Sequence, residues 1–127
     1  MSSLLKITFI LNAILSILVG APLLLVPGRF LGIFGWGPVE PLISRLLGAA
    51  LLAFAWMSFR YLRANDSRQA IFAVEAELIF YFLGSLGFAR HLFQPVWYPS
   101  MVWIVFFILA GGALLWLINL ILIYRKK

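Results

Sequence analysis

Apolar residues run almost unbroken for about twenty positions at a time, four times over, and the polar residues fall mainly in the short intervals between. A helix crossing ~30 Å of hydrocarbon at ~1.5 Å per residue needs about 20 such residues. The pattern therefore predicts four membrane-spanning helices, at about 7–26, 42–62, 69–90 and 97–124. Little lies outside them, so residues 1–127 are expected to form one all-α domain, a four-helix antiparallel bundle without a soluble appendage.

The intervals differ in character. Between Pro27 and Pro41 the chain carries Gly28, Gly32, Gly35, Gly37 and Pro38, which argue against a regular helix. Phe30, Leu31, Ile33, Phe34 and Trp36 make the same stretch greasy, so an interfacial or shallowly re-entrant hairpin is expected, as a plain connector or as the mouth of a cavity. The interval from Gln94 to Pro99 is short and aromatic, whereas Arg63 to Arg68 is polar, with Asp66 or Ser67 suited to cap the third helix. Pro22 predicts a kink near the end of the first span.

Polar side chains within the spans are costly in hydrocarbon and so become the candidates for function. Glu75 and Glu77 are two residues apart, about 200° around a helix, and cannot share a face. Glu75 falls among Ile71, Phe72, Ile79, Phe82 and Leu86, a face suited to lipid, from which it can reach back toward Arg60 or Arg68. Glu77 falls among Ala70, Ala73, Tyr81 and Gly84, whose small members permit close helix approach, so Glu77 is expected to point inward. Counting along each helix puts Asn12 (on a stripe with Thr8 and Ser16), Ser58 and Asn119 at a similar depth. The resulting polar layer has two readings. In one, interhelical hydrogen bonds fix the register of a greasy bundle; in the other, the layer floors a small cavity with Glu77 as a proton or cation site.

At the opposite ends of the second and third spans, Arg45, Arg90 and His91 can snorkel to the headgroups, with Glu40 near enough to neutralise one charge, or form a clamp for an anionic headgroup or substrate. Ser44 and Gly48, Ala49 and Ala53, and the patch Ala110 to Ala113 mark faces where helices can pack closely, within one chain or between copies.

Composition narrows the classes further. With 65% hydrophobic and 11% charged residues, and a mean hydropathy of +1.08, there is too little polar surface to cover a water-soluble globule. Cysteine is absent and His91 is the single histidine, so thiolate chemistry and a bis-histidine haem held by one chain are excluded, and no cofactor or metal is expected. The net charge of +6 points to the lipid bilayer and not to nucleic acid. Lys6, Arg60, Arg63, Arg68, Arg125, Lys126 and Lys127 fall on one side and Arg29, Arg45 and Arg90 on the other. Seven against three puts both termini in the cytoplasm. The first span resembles a secretory signal, but Val19-Gly20-Ala21 leads into Pro22 and further leucines, so it is expected to be retained.

The run Arg45-Leu46-Leu47-Gly48-Ala49-Ala50-Leu51-Leu52, with Trp56 and Arg60 beyond it, resembles a pattern in small bacterial four-helix membrane proteins grouped loosely as DoxX-like. Pro27, Leu31, Phe34 and Gly35 are similar to the P-x-x-x-L-x-x-F-G loop of the same proteins. The resemblance covers the first half of the chain and implies a bacterial inner-membrane protein of four helices; it transfers no catalytic residue. Small multidrug-resistance transporters match in size, but their membrane-embedded Glu lies in the first helix, where this chain has Asn12. The expectation is a non-enzymatic structural or accessory membrane protein that forms a homo-oligomer or joins a larger membrane complex. The alternative is a small transporter or a protein binding lipid or a small molecule through the Glu77 layer.

Overall fold

A computed structural model describes residues 1–35, 41–93 and 100–125. They form five helices, α1 (Ser3–Leu25), α2 (Pro27–Ile33), α3 (Pro41–Ala64), α4 (Ser67–Leu92) and α5 (Met101–Arg125). Four of these, α1, α3, α4 and α5, are long and apolar enough to cross a membrane. At 23 to 26 residues each they are about 35–39 Å long, enough for the hydrocarbon and part of both headgroup layers.

Local chemistry explains the helix ends. The Ser2 hydroxyl accepts a hydrogen bond from the Leu5 N–H at 3.2 Å, which starts α1 four residues before its apolar run and draws Lys6 into the helix. Asp66 caps α4 through the Arg68 N–H at 3.0 Å. Just before it, Asn65 ends α3 at φ 52°, a left-handed conformation that asparagine tolerates better than most residues. Pro22 lies inside α1, which runs on to Leu25, and the Val26 N–H returns to the Pro22 carbonyl at 2.8 Å. The fourth span begins at Met101, with the Trp103 N–H bonded to the Ser100 carbonyl at 3.1 Å. Its expected start at Trp97 lies outside the described residues, as do Trp36 to Glu40, Gln94 to Pro99 and Lys126-Lys127.

The expectation that no regular helix forms after Pro27 is corrected by α2. Pro27 occupies the first turn, where its missing N–H costs nothing and its fixed φ is already helical. Phe30 and Phe34, one turn apart, meet edge to face with centroids 5.2 Å apart. The helix stops at Ile33, and Gly35 takes φ 81°, which a side chain would resist. The glycines thus shorten the helix without preventing it.

The chain divides into two compact units, Met1–Asn65 and Asp66–Lys127. In the first, α1 packs against α3, with α2 touching both. Phe9 stacks on Tyr61 at 6.0 Å, Asn12 bonds Ser58, and Gly20 meets Gly48. One number rises as its partner falls, so the two helices are antiparallel. In the second unit, Gly84 lies beside Leu109, Tyr81 beside Gly112 and Glu75 beside Tyr124, which makes α4 and α5 antiparallel too.

The polarity of these helices is inverted relative to a protein in water. The buried stripe of α1 is Leu5, Thr8, Phe9, Asn12, Ser16, Gly20 and Leu23, while Ile7, Ile10, Leu11, Ile14, Ile17 and Leu18 face out. A soluble helix turns its isoleucines in and its asparagine out. In hydrocarbon, burying leucine gains nothing over lipid, and small residues and interhelical hydrogen bonds hold helices together instead. Gly20 and Gly48 show how: a Cβ on Gly48 would lie 2.7 Å from both the Gly20 carbonyl oxygen and the Leu24 nitrogen, so the two backbones touch here within one chain.

Candidate functional site

In the first unit the polar stripe of α1 is buried as expected. The Asn12 side-chain amide donates to the Ser58 hydroxyl at 2.8 Å, tying α1 to α3. Thr8 turns its hydroxyl back to the Leu4 carbonyl at 2.8 Å, which satisfies it within its own helix. Ser16 is buried one turn beyond Asn12. The i, i+4 spacing of Thr8, Asn12 and Ser16 puts all three on the buried side of α1, where Asn12 supplies the donor and Ser58 of α3 the acceptor.

The second unit holds the ionisable half of the predicted layer. The buried stripe of α4 is Ala70, Ala73, Val74, Glu77, Tyr81 and Ser85. Glu77 is 0% exposed, as its small-residue face requires. On α5 the buried residues are Val102, Ala113, Trp116, Asn119 and Ile123. The ring of Tyr81 lies against Gly112, where a Cβ would come within 2.5 Å of its Cδ1 and Cε1. Stepping one turn from that contact, back along α4 and onward along α5, brings Glu77 level with Trp116, and Asn119 lies one further turn along α5. Asn119 donates to the Leu115 carbonyl at 3.0 Å, and Ser85 to the Phe82 carbonyl at 2.8 Å. Glu77 and Asn119 have other partners as well, although the buried atoms Glu77 Oε2 and Asn119 Oδ1 take no hydrogen bond among the described residues.

Counted along the helices, Glu77 is ten residues from the start of α4 and Asn119 six from the end of α5, or roughly 15 Å and 9 Å in. Ser58 is six residues from the end of α3 and Asn12 nine from the start of α1. Within each unit, taken by itself, the two polar residues lie near the same end of their helix pair.

Glu75 is half-buried, not simply lipid-facing: the Tyr124 hydroxyl donates to its Oε1 at 2.9 Å, linking α4 to α5. Tyr124 is thus a partner for this carboxylate within its own unit. Phe72, on the same side, is 79% exposed, and Ile79, Phe82 and Leu86 are exposed with it. Arg45 is exposed in the second turn of α3, and Arg90 and His91 are exposed in the last turn of α4. Glu40, their expected counter-charge, lies outside the described residues. Of the small-residue faces, Gly48 and Ala113 are buried, Gly112 seats Tyr81, and Ala49, Ala53 and Gly111 are exposed.

A carboxyl, a phenol, an indole N–H and a carboxamide therefore gather along one buried strip between two packed helices. Such a set can hold a proton or orient hydrogen bonds. The buried stripes of the two helices hold one carboxyl and no histidine, cysteine or lysine. No group of three or more His, Cys, Asp or Glu side chains suited to a metal ion occurs among the described residues.

The pattern of polar and ionisable residues does not mark Trp116, which is buried in α5. Its signal is position: tryptophan favours the two membrane interfaces, whereas Trp116 lies 15 residues into a 25-residue span. Comparison with protein-family models, curated proteins and solved structures found no match. The fold by itself establishes an all-α chain with four helices able to cross a membrane.

Proposed function

We propose that this chain is a non-enzymatic structural or accessory protein of the bacterial inner membrane, with both termini cytoplasmic, that associates with itself or with a larger membrane complex. The observation that carries this reading is the Asn12 to Ser58 bond at 2.8 Å. Two uncharged side chains buried between spans are used on each other, the arrangement expected where polar groups set helix register. The same economy recurs in the back-bonds of Thr8, Ser85 and Asn119. The charge asymmetry of the loops supports the orientation, and the resemblance of the first half to DoxX-like proteins supports the location.

Energy transfer between two separately labelled populations, mixed in vesicles at falling protein-to-lipid ratio, tests self-association. Transfer that persists on dilution and survives Glu77→Gln supports the reading. Transfer that falls in simple proportion to density, together with no stable complex in the native membrane, refutes it.

A second reading, a small transporter or small-molecule binder, is favoured by the complete burial of Glu77 level with Trp116 and one turn from Tyr81. Carboxyl infrared difference spectra of the native chain and Glu77→Gln in nanodiscs decide it. A carboxyl band that titrates near neutral pH and vanishes in the variant favours a proton-coupled role. Identical spectra leave Glu77 as a packing residue.

A further inference from the structure

The end of the first unit where α1 begins and α3 ends has a one-sided chemistry. Lys6 on α1 and Arg60 and Arg63 on α3 are all exposed there. The described residues of this unit contain no aspartate or glutamate to offset these cations. Trp56, Phe59, Arg60 and Arg63 are spaced i, i+3, i+4 and i+7 and therefore share one face of α3. Trp56 is 63% exposed and Phe59 46%. The side chains form a ladder: the Trp56 and Phe59 rings are 5.8 Å apart, and the Arg63 guanidinium carbon lies 5.8 Å from the centre of the Phe59 ring. The seven helical steps from Trp56 to Arg63 rise roughly 10 Å, about the distance from the upper acyl chain to the phosphate of a lipid.

We infer that this face of α3 is a docking site for an anionic phospholipid, with the phosphate on Arg60 and Arg63, Lys6 adding charge at the same end, and an acyl chain along Trp56 and Phe59. Charge complementarity selects the occupant. A zwitterionic lipid brings its own cation to the phosphate, whereas an anionic headgroup leaves the phosphate to the arginines. The stack on Phe59 holds Arg63 at the boundary before any lipid arrives, which lowers the cost of ordering a long side chain. The site is distinct from Arg45, Arg90 and His91, the candidates for headgroup contact at the opposite helix ends.

The test uses the full chain in phosphatidylcholine nanodiscs containing brominated phosphatidylglycerol as a minor component, with tryptophan quenching as the readout. Brominated phosphatidylcholine at the same fraction is the reference, and Trp56→Phe identifies the part of the signal due to Trp56. Preferential quenching by the anionic lipid is expected in the native chain and should disappear with Trp56→Phe. At about fivefold per arginine, Arg60→Gln with Arg63→Gln lowers the preference by roughly 25-fold, while Arg45→Gln leaves it unchanged. Equal quenching by both lipids overturns the proposal, as does a preference that survives the double variant or does not involve Trp56. Excess soluble glycerol phosphate that abolishes the preference also overturns it, since the site would then recognise phosphate alone. Unchanged helicity of the variants by circular dichroism excludes misfolding as the cause of a loss.

Discussion

Adding one methyl group at Gly48 tests the account of how the first unit holds together. A Cβ there would sit 2.7 Å from the Gly20 carbonyl oxygen and 2.7 Å from the Leu24 nitrogen, against 3.4 Å or more for ordinary contact. Both obstacles are backbone, so no side chain can turn aside and α1 must move away from α3. A gap of 0.5–1 Å forfeits a quarter to a half of each contact's attraction, and overpacking of this kind costs about 1–3 kcal/mol. Gly20→Ala should cost less, because its Cβ would meet the Gly48 oxygen and the Leu51 Cβ at 3.0 Å. Gly111→Ala meets nothing within 4 Å and gains up to ~1 kcal/mol of helix propensity. Cysteine is absent from the chain, so Leu18→Cys and Ala50→Cys, both at exposed positions, allow dyes to report the distance between α1 and α3. Titration with sodium dodecyl sulfate in mixed micelles then gives a midpoint for each variant. Gly48→Ala should separate the helices earliest, Gly20→Ala next and Gly111→Ala last. If Gly48→Ala unfolds at the same midpoint as Gly111→Ala, the backbones are not in contact and the reasoning fails.

Three further outcomes follow from the hydrogen bonds and rings. Asn12→Ala and Ser58→Ala should each destabilise the first unit by ~0.6 and at most ~2 kcal/mol; in a double-mutant cycle by the same titration their effects should be non-additive, and simple additivity would show that the bond contributes nothing. Gly112→Ala should drive the Tyr81 ring from its seat, and at least half of the loss should disappear in a Tyr81→Ala background, read as coupling in the same assay. Tyr124→Phe removes the donor to Glu75 at an exposed position, so the unfolding midpoint should stay within replicate scatter; a large shift would mean that this bond is a main clasp of the second unit.

The four spans were legible because hydrocarbon imposes a length and a polarity that few other solvents do. The facing of Glu77 was legible for a related reason: Ala70 and Ala73 mark the side where a neighbour can approach, and a carboxyl is tolerated there but not against lipid. What escaped the sequence depended on partners. Val19-Gly20-Ala21 resembles a small-residue exit of a signal segment, and only the register of α3 reveals that Gly20 faces Gly48. The patch Ala110 to Ala113 promised a backbone contact, yet Gly112 receives an aromatic ring from α4. After Pro27, the glycines argue against a helix while the proline favours its first turn, and the proline prevails in α2.

The bond from Asn12 to Ser58 also bears on biogenesis. Its partners are 46 residues apart. At about 5–20 residues per second, Ser58 is joined to the chain roughly 2–9 s after Asn12. During that interval the Thr8 hydroxyl can already reach the Leu4 carbonyl of its own helix, whereas the bond that ties α1 to α3 awaits the later residue. The register between α1 and α3 is thus set only once the second of them has been synthesised, although each helix can form by itself beforehand.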